Sequence, residues 1–272
     1  MFHFGRSRGG TWRDGARLFF YAVVKPALVF RGKARYEPAR ILNFSFKLAA
    51  NRRVSISAHD NGLDVLTFAE FFSKQHQIIP PELPPLDPVV VYDLGANIGA
   101  ASLFLAAHHP GARFYGFEPL PENHEICARN YQNLPQSRVF AWAVGSRSGS
   151  APFRYIENDM RAGRLSGAIP GATETSTKRV DVEIVSIADL VTVKGLEPPD
   201  FIKIDVEGAE LEVLTGLGEH ADRVKWMLVE THGPELLASC LRWMLDNGFN
   251  VRHLHEAELG YASVWCSRSP GA

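Results

Sequence analysis

Between residues 88 and 250 short unbroken apolar runs alternate with stretches whose apolar positions return every three or four residues. PVVVYDLG (88–95), ARFYGFEP (112–119), SRVFAWAVG (137–145), DFIKIDV (200–206) and VKWMLVETH (224–232) read as strands buried on both faces. AASLFLAAHH, ENHEICARNYQNL, AELEVLTGL and PELLASCLRWMLDNG between and after them read as helices. This alternation predicts an α/β fold, an open and mostly parallel sheet with helices on both faces. Residues 249–268 break the rhythm. Two strand-like segments there, with a turn near Gly260 and no helix between, predict a C-terminal antiparallel hairpin. Upstream, RRVSISA alternates as a strand and LDVLTFAEFFSKQ has helical spacing. Ser146–Lys178 is turn-rich and reads as irregular, with no recognisable motif from Pro152 on. IIPPELPPLDP (78–88) can continue neither helix nor strand, so it divides a basic N-terminal α(+β) extension, residues 1–87, from a main domain, residues 88–272.

Composition adds one large asymmetry. A chain of 272 residues that is 46% hydrophobic and 22% charged falls in the ordinary globular range. Its net charge of −1, however, conceals twelve Lys/Arg against Asp14 and Glu37 in residues 1–53, a net of +10, with −11 left for the remainder. Carrying Trp12, Phe19, Phe20 and Tyr21, that segment suits an arm docked on its own acidic domain, or peripheral contact with an anionic membrane at its inner face. Contact with nucleic acid is the least favoured of the three readings. Cys127, Cys240 and Cys266 are scattered, without a CxxC pair, which argues against a disulfide framework or zinc site and fits a cytoplasmic protein. LFFYAVVKPALVF (18–30) is broken by Lys25 and Pro26, too short to span a bilayer and without a leader's cleavage site.

The chemistry concentrates at strand ends, where open α/β sheets bind ligands. The first strand runs into DLGANIG: Asp93, Gly95, Asn97 and Gly99. Gly95 permits a tight turn and Gly99 a close helix start, and Asp93 is placed to meet a cationic ligand group. Asn97 occupies the middle glycine of a dinucleotide fingerprint, so G-x-G-x-x-G is absent. Glu118 ends the second strand 19 residues after Gly99, the spacing of an acid that binds ribose hydroxyls, in adenosine as well as in NAD.

In order and spacing, DLGANIG, FYGFEPLPENHEICARN, AWAVGSRSG, DFIKIDVEGAELEVLTGL and MLVETHG resemble the FkbM methyltransferase family of class I, Rossmann-like S-adenosylmethionine-dependent methyltransferases. The resemblance covers about Pro88 to Gly233. It implies S-adenosylmethionine as cofactor, its methionine part held by the DLGANIG loop, its ribose by Glu118 and its adenine bordered by Trp142 and Ala143; Trp142 reads equally as a core residue. It further implies O-methylation of a small-molecule or glycan acceptor: a sugar, glycolipid or secondary metabolite. An NAD-dependent oxidoreductase and a non-catalytic membrane- or nucleic-acid-binding scaffold are the competing readings.

Strand alternation places Lys203 and Asp205 on one face, emerging at the rim beside Asp93 and not buried within the strand; Glu230 and His232 reach the same rim from the next strand. His232 is the best candidate base for a hydroxyl acceptor by its ordinary pKa, Asp205 is the next or orients it, and Lys203 pairs with Asp205 or Glu207. Glu207 and Glu210 read as acids favoured at a helix start. Asp205, Glu207, Glu230 and His232 would suit a divalent ion, but no spacing requires a metal. His108–His109 and His253–His255 read as helix-end and strand-surface residues.

Overall fold

The computed structural model describes residues 8–49, 52–73, 79, 87, 89–156, 159–164, 177–256 and 261–268. The first helix, α1, is α-helical over Trp12–Phe19, widens to a π-turn at Phe20–Val24 and returns to α-helix over Lys25–Phe30. Thr11 caps it, its hydroxyl accepting from the Asp14 amide. Two long antiparallel strands follow, β1 (Glu37–Ala49) and β2 (Arg52–Asp60), then helix α2 (Asp64–Ser73). The alternating Leu42, Phe44, Phe46 and Leu48 of β1 are all buried, so this hairpin presents one continuous apolar face. Of the proline-rich stretch only Ile79, Asp87 and Val89 beside it are described, so the expected connector lies almost wholly outside the described residues.

Next come β3 (Val90–Leu94), α3 (Ala100–His108), β4 (Arg113–Phe117), α4 (Pro121–Tyr131) and β5 (Arg138–Phe140). The run SRVFAWAVG, expected as one strand, is two. It breaks at Ala141, and β6 (Trp142–Gly145) joins a separate four-stranded sheet with β7 (Gly149–Ile156), β8 (Asp159–Arg164) and β9 (Thr177–Ser186), in the order β6-β9-β7-β8. The stretch expected to be irregular therefore supplies strands. The Gly, Ser and Pro of GSAPFRYI weaken its own pattern, and eight antiparallel pairings with β9 override it. Residues 157–158 and 165–176 lie outside the described residues, as does the turn at Gly260.

The chain closes with α5 (Ile187–Thr192), β10 (Phe201–Ile204), α6 (Glu210–Thr215), β11 (Trp226–His232), α7 (Pro234–Asp246), β12 (Phe249–Glu256) and β13 (Tyr261–Arg268). The main sheet has the order β12-β13-β11-β10-β3-β4-β5. Its five strands from β11 to β5 are parallel, and β13 runs antiparallel between β11 and β12. One face, with Val91, Phe114 and Phe201, shares a core with α3, α4, the β1–β2 hairpin and Leu18 of α1. The other, with Tyr92, Ile202 and Val229, packs on α5, α6 and α7. Polar contacts also join hairpin and sheet: the buried Asn130 amide donates to Ser57 O (3.0 Å) and to Ile98 O (2.7 Å) in the glycine loop.

Candidate active site

Strand order reverses between β3 and β10, and the loops leaving these strands form one crevice. Gly95, Asn97 and Gly99 all have positive φ, at 73°, 50° and 80°. At Gly95 an added Cβ would lie 1.8 Å from Asp205 O, so only glycine lets the two loops approach this closely. The Gly95 and Ala96 amides both donate to Phe117 O at 3.0 Å, tying the loop to β4.

Glu118, at the end of β4, accepts from the Asn97 amide (2.9 Å) and the Leu120 amide (3.0 Å). Burial nevertheless outweighs these hydrogen bonds and pushes its carboxyl up to about 7. Trp142 stacks on Phe140 at a centroid distance of 4.7 Å, and Lys194 Nζ lies 4.6 Å over its ring. Ala143 is buried in a small cluster with Leu120, Phe153 and Val182.

Lys203 departs from its expected place at the rim: it is buried within β10. The reason is a cluster of oxygens around its ammonium: Gly95 O at 2.9 Å, Asp93 Oδ1 at 3.2 Å and Asp205 Oδ2 at 3.5 Å. Burial alone would lower its pKa, but Asp93 and Asp205 reverse the effect and raise it. The cation beside Asp93 is thus a lysine of the chain itself; Asp93 is fully buried and accepts a 2.6 Å hydrogen bond from Ser102.

His232 lies at the carboxyl end of β11 with its side chain 3% exposed. Nδ1 is 2.9 Å from Glu210 Oε1; Nε2 is 3.3 Å from Glu207 Oε2 and 3.7 Å from Asp205 Oδ1. Burial would lower its pKa, yet the hydrogen bonds to Glu207 and Glu210 and the charge of Asp205 push it up to about 11. A carboxylate on each nitrogen favours the imidazolium, donating from both, over the neutral ring that a resting base would need. Glu230 is pushed up to about 7, chiefly by the charge of Asp205 and then by burial. Among the described residues, Asp205, Glu207 and His232 each place a potential ligand atom within 4.8 Å of the others, a set that would hold a divalent ion only on loss of the imidazole's second proton.

Glu210 is more than a helix-start acid. It is fully buried, and its place three and four residues before the buried Val213 and Leu214 is the signal for that: an acid on the core face of α6 needs a cationic partner. His108 caps its own helix end, its Nδ1 2.9 Å from Phe104 O, and His255 is exposed on β12.

Residues 93–251 match the family model for the methyltransferase FkbM domain. The chain belongs to the FkbM methyltransferase family. It is 31% identical over 196 residues to methyltransferase sdnD of Sordaria araneosa, covering 61% of this chain and 75% of that protein. It is also 31% identical over 173 residues to the 2-O-methyltransferase NoeI of Sinorhizobium fredii (60% and 71% covered). With the 31-O-demethyl-FK506 methyltransferase FkbM of Streptomyces tacrolimicus it shares 27% identity over 201 residues (62% and 75%). This FkbM-family chain is an S-adenosylmethionine-dependent methyltransferase, which replaces the dehydrogenase and scaffold readings. The crevice fits such a cofactor: its loop can form only with glycine at position 95, and the carboxylates of Asp205, Glu207 and Glu230 gather at the adjoining rim, where a cationic ligand is favoured. No helix among the described residues is long and apolar enough to cross a membrane.

Proposed function

We propose that the enzyme methylates a hydroxyl of a sugar, glycolipid or other small-molecule acceptor at the rim between β10 and β11. The observation that carries this reading is Glu230, which shares that rim with Asp205 and His232 and is pushed up to about 7 by the charge of Asp205 and by burial. The names of the relatives, a 2-O-methyltransferase, a 31-O-demethyl-FK506 methyltransferase and a hexuronic acid methyltransferase, support the acceptor class.

S-adenosylmethionine, when bound, supplies an electrophilic methyl group. Gly95, Asn97 and Gly99 would shape its seat, Glu118 would accept from its ribose, and Trp142 and Ala143 would flank the adenine end; Asp93 and Asp205, through Lys203, fix the two loops to each other. An acceptor hydroxyl must lose its proton near the transition state. Glu230, pushed up to about 7 by the charge of Asp205 and by burial, takes that proton. The charge of His232, clamped by Glu210 and Glu207, keeps Glu230 from rising further.

The test is methyl-labelled S-adenosylmethionine with a panel of monosaccharides, uronic acids and hydroxylated macrocycles. Label in a base-stable methyl ether is expected; label only in a base-labile ester or on an amine would sink the hydroxyl reading. The ribose role of Glu118 has its own signature. Ribose hydroxyls donate best to the carboxylate, so cofactor binding must expel the Glu118 proton. Affinity for S-adenosylhomocysteine should therefore fall about tenfold per pH unit below about 7 and level off above it. Calorimetry in buffers of different ionisation enthalpy would register the released proton. A pH-independent affinity, or one unaltered in Glu118→Gln, would remove Glu118 from the ribose.

A further inference from the structure

The basic N-terminal segment divides into two populations. Some of its cations are consumed in packing: Arg8 donates to Lys47 O and Leu48 O, Arg17 to Asn43 O at 2.9 Å, and the buried Lys25 pairs with Asp60. Arg13, Arg31, Lys33, Arg35 and Arg40 are instead exposed. The exposed residues of α1 are 12, 13, 16, 17, 20, 27 and 30, on the side turned away from the buried Gly15, Leu18, Ala22 and Lys25. That side carries large apolar side chains: Trp12 is 79% exposed, Phe20 39% and Phe30 92%.

We propose that this side of α1 is a docking face for an anionic lipid surface, with Trp12, Phe20 and Phe30 entering the headgroup–acyl boundary and Arg13, Arg31 and Lys33 meeting lipid phosphates. The proposal is independent of the acceptor. Aromatic residues interleaved with arginine and lysine on a helix are what a membrane interface rewards, since apolar bodies and cationic heads both gain there. The exposed cations Arg13, Arg31, Lys33, Arg35 and Arg40 belong to a segment of net charge +10 in a chain whose remainder holds −11, so this end of the molecule is the one drawn to a negative surface. A second copy docking through a two-fold axis would instead bring like charges together. Contacts to nucleic acid phosphates would use the cations and leave Phe30 in water.

Deleting residues 1–53 cannot test this, because Leu42, Phe44, Phe46 and Leu48 belong to the main core. Exposed residues can be changed instead. The full chain should co-sediment with vesicles of phosphatidylcholine containing about a third phosphatidylglycerol, not with phosphatidylcholine alone, and should release as salt rises. Trp12→Ala with Phe30→Ala should weaken binding about tenfold, and each of Arg31→Gln and Lys33→Gln about fivefold, all with unchanged thermal unfolding. Loss of Trp12 fluorescence to brominated lipid, read as the difference from Trp12→Phe, would place that ring in the bilayer. Absence of vesicle binding, equal binding by the variants, preference for an oligonucleotide over vesicles, or self-association abolished by the same substitutions would each overturn the proposal.

Discussion

Glu230→Gln should lower kcat for methyl transfer by about 10²–10⁴-fold, the usual worth of a positioned proton acceptor, while leaving affinity for S-adenosylhomocysteine unchanged. The pH profile says more than the loss. An acid must be deprotonated to act as acceptor, so wild-type kcat should rise with pH through about 7 and then level off. Glu230→Gln should lose that rising limb. Neighbouring substitutions should move it in opposite directions. Asp205 is the chief cause of the raised pKa, so Asp205→Asn should shift whatever limb remains toward lower pH. The His232 cation lowers the Glu230 pKa, so His232→Gln should shift the limb toward higher pH. A profile that keeps its limb in Glu230→Gln would return the proton to another group. His232 itself would then need an acceptor hydroxyl to displace Glu207 from Nε2 before it could serve.

These roles show where sequence reading reaches and where it stops. The parallel strands were legible because a strand buried on both faces must be apolar throughout, as VVYDL and FIKI are, and the terminal hairpin because no helix intervenes. The glycine loop and Glu118 were legible because backbone constraint and strand-end position are local properties. β1 carries an equally regular alternation at Leu42, Phe44, Phe46 and Leu48, set among arginines and lysines that mask it. Glu210 also carried a readable signal, an acid on an apolar helix face. What no local pattern holds is pairing across the sheet. That Lys203 faces Asp93, 110 positions earlier, follows from β10 lying beside β3, and that Glu210 and Glu207 clamp His232 follows from the α6 start meeting β11. Ionisation is set by those pairings. A histidine with an ordinary pKa in the sequence is therefore pushed up to about 11 in the fold by the acids around it, and a glutamate read as a rim acid is pushed up to about 7.

The same logic predicts the largest loss of stability in the site, at Lys203. Lys203→Met preserves the stem's packing and removes only the ammonium, leaving Asp93 fully buried with a hydrogen bond from Ser102. Breaking a buried pair by removing one partner costs about 3–5 kcal/mol, because the other charge stays desolvated. Unfolding in urea should show that loss, and its pH dependence separates electrostatics from packing. In wild type the raised Lys203 pKa means its contribution is fully present below about 10.5 and declines only as pH rises through the higher folded value. In the variant, the Asp93 carboxylate keeps its burial and loses its cation, so burial favours its neutral form. The variant should then be nearest to wild-type stability in acid, where Asp93 binds a proton, and lose ground as pH rises toward neutrality. Adding Asp93→Asn should recover most of the loss, since an amide can still hydrogen-bond Ser102 and carries no charge. If instead Lys203→Met costs the same at every pH and Asp93→Asn adds to the damage, the lysine holds the β3 and β10 loops through Gly95 O and not through the aspartate.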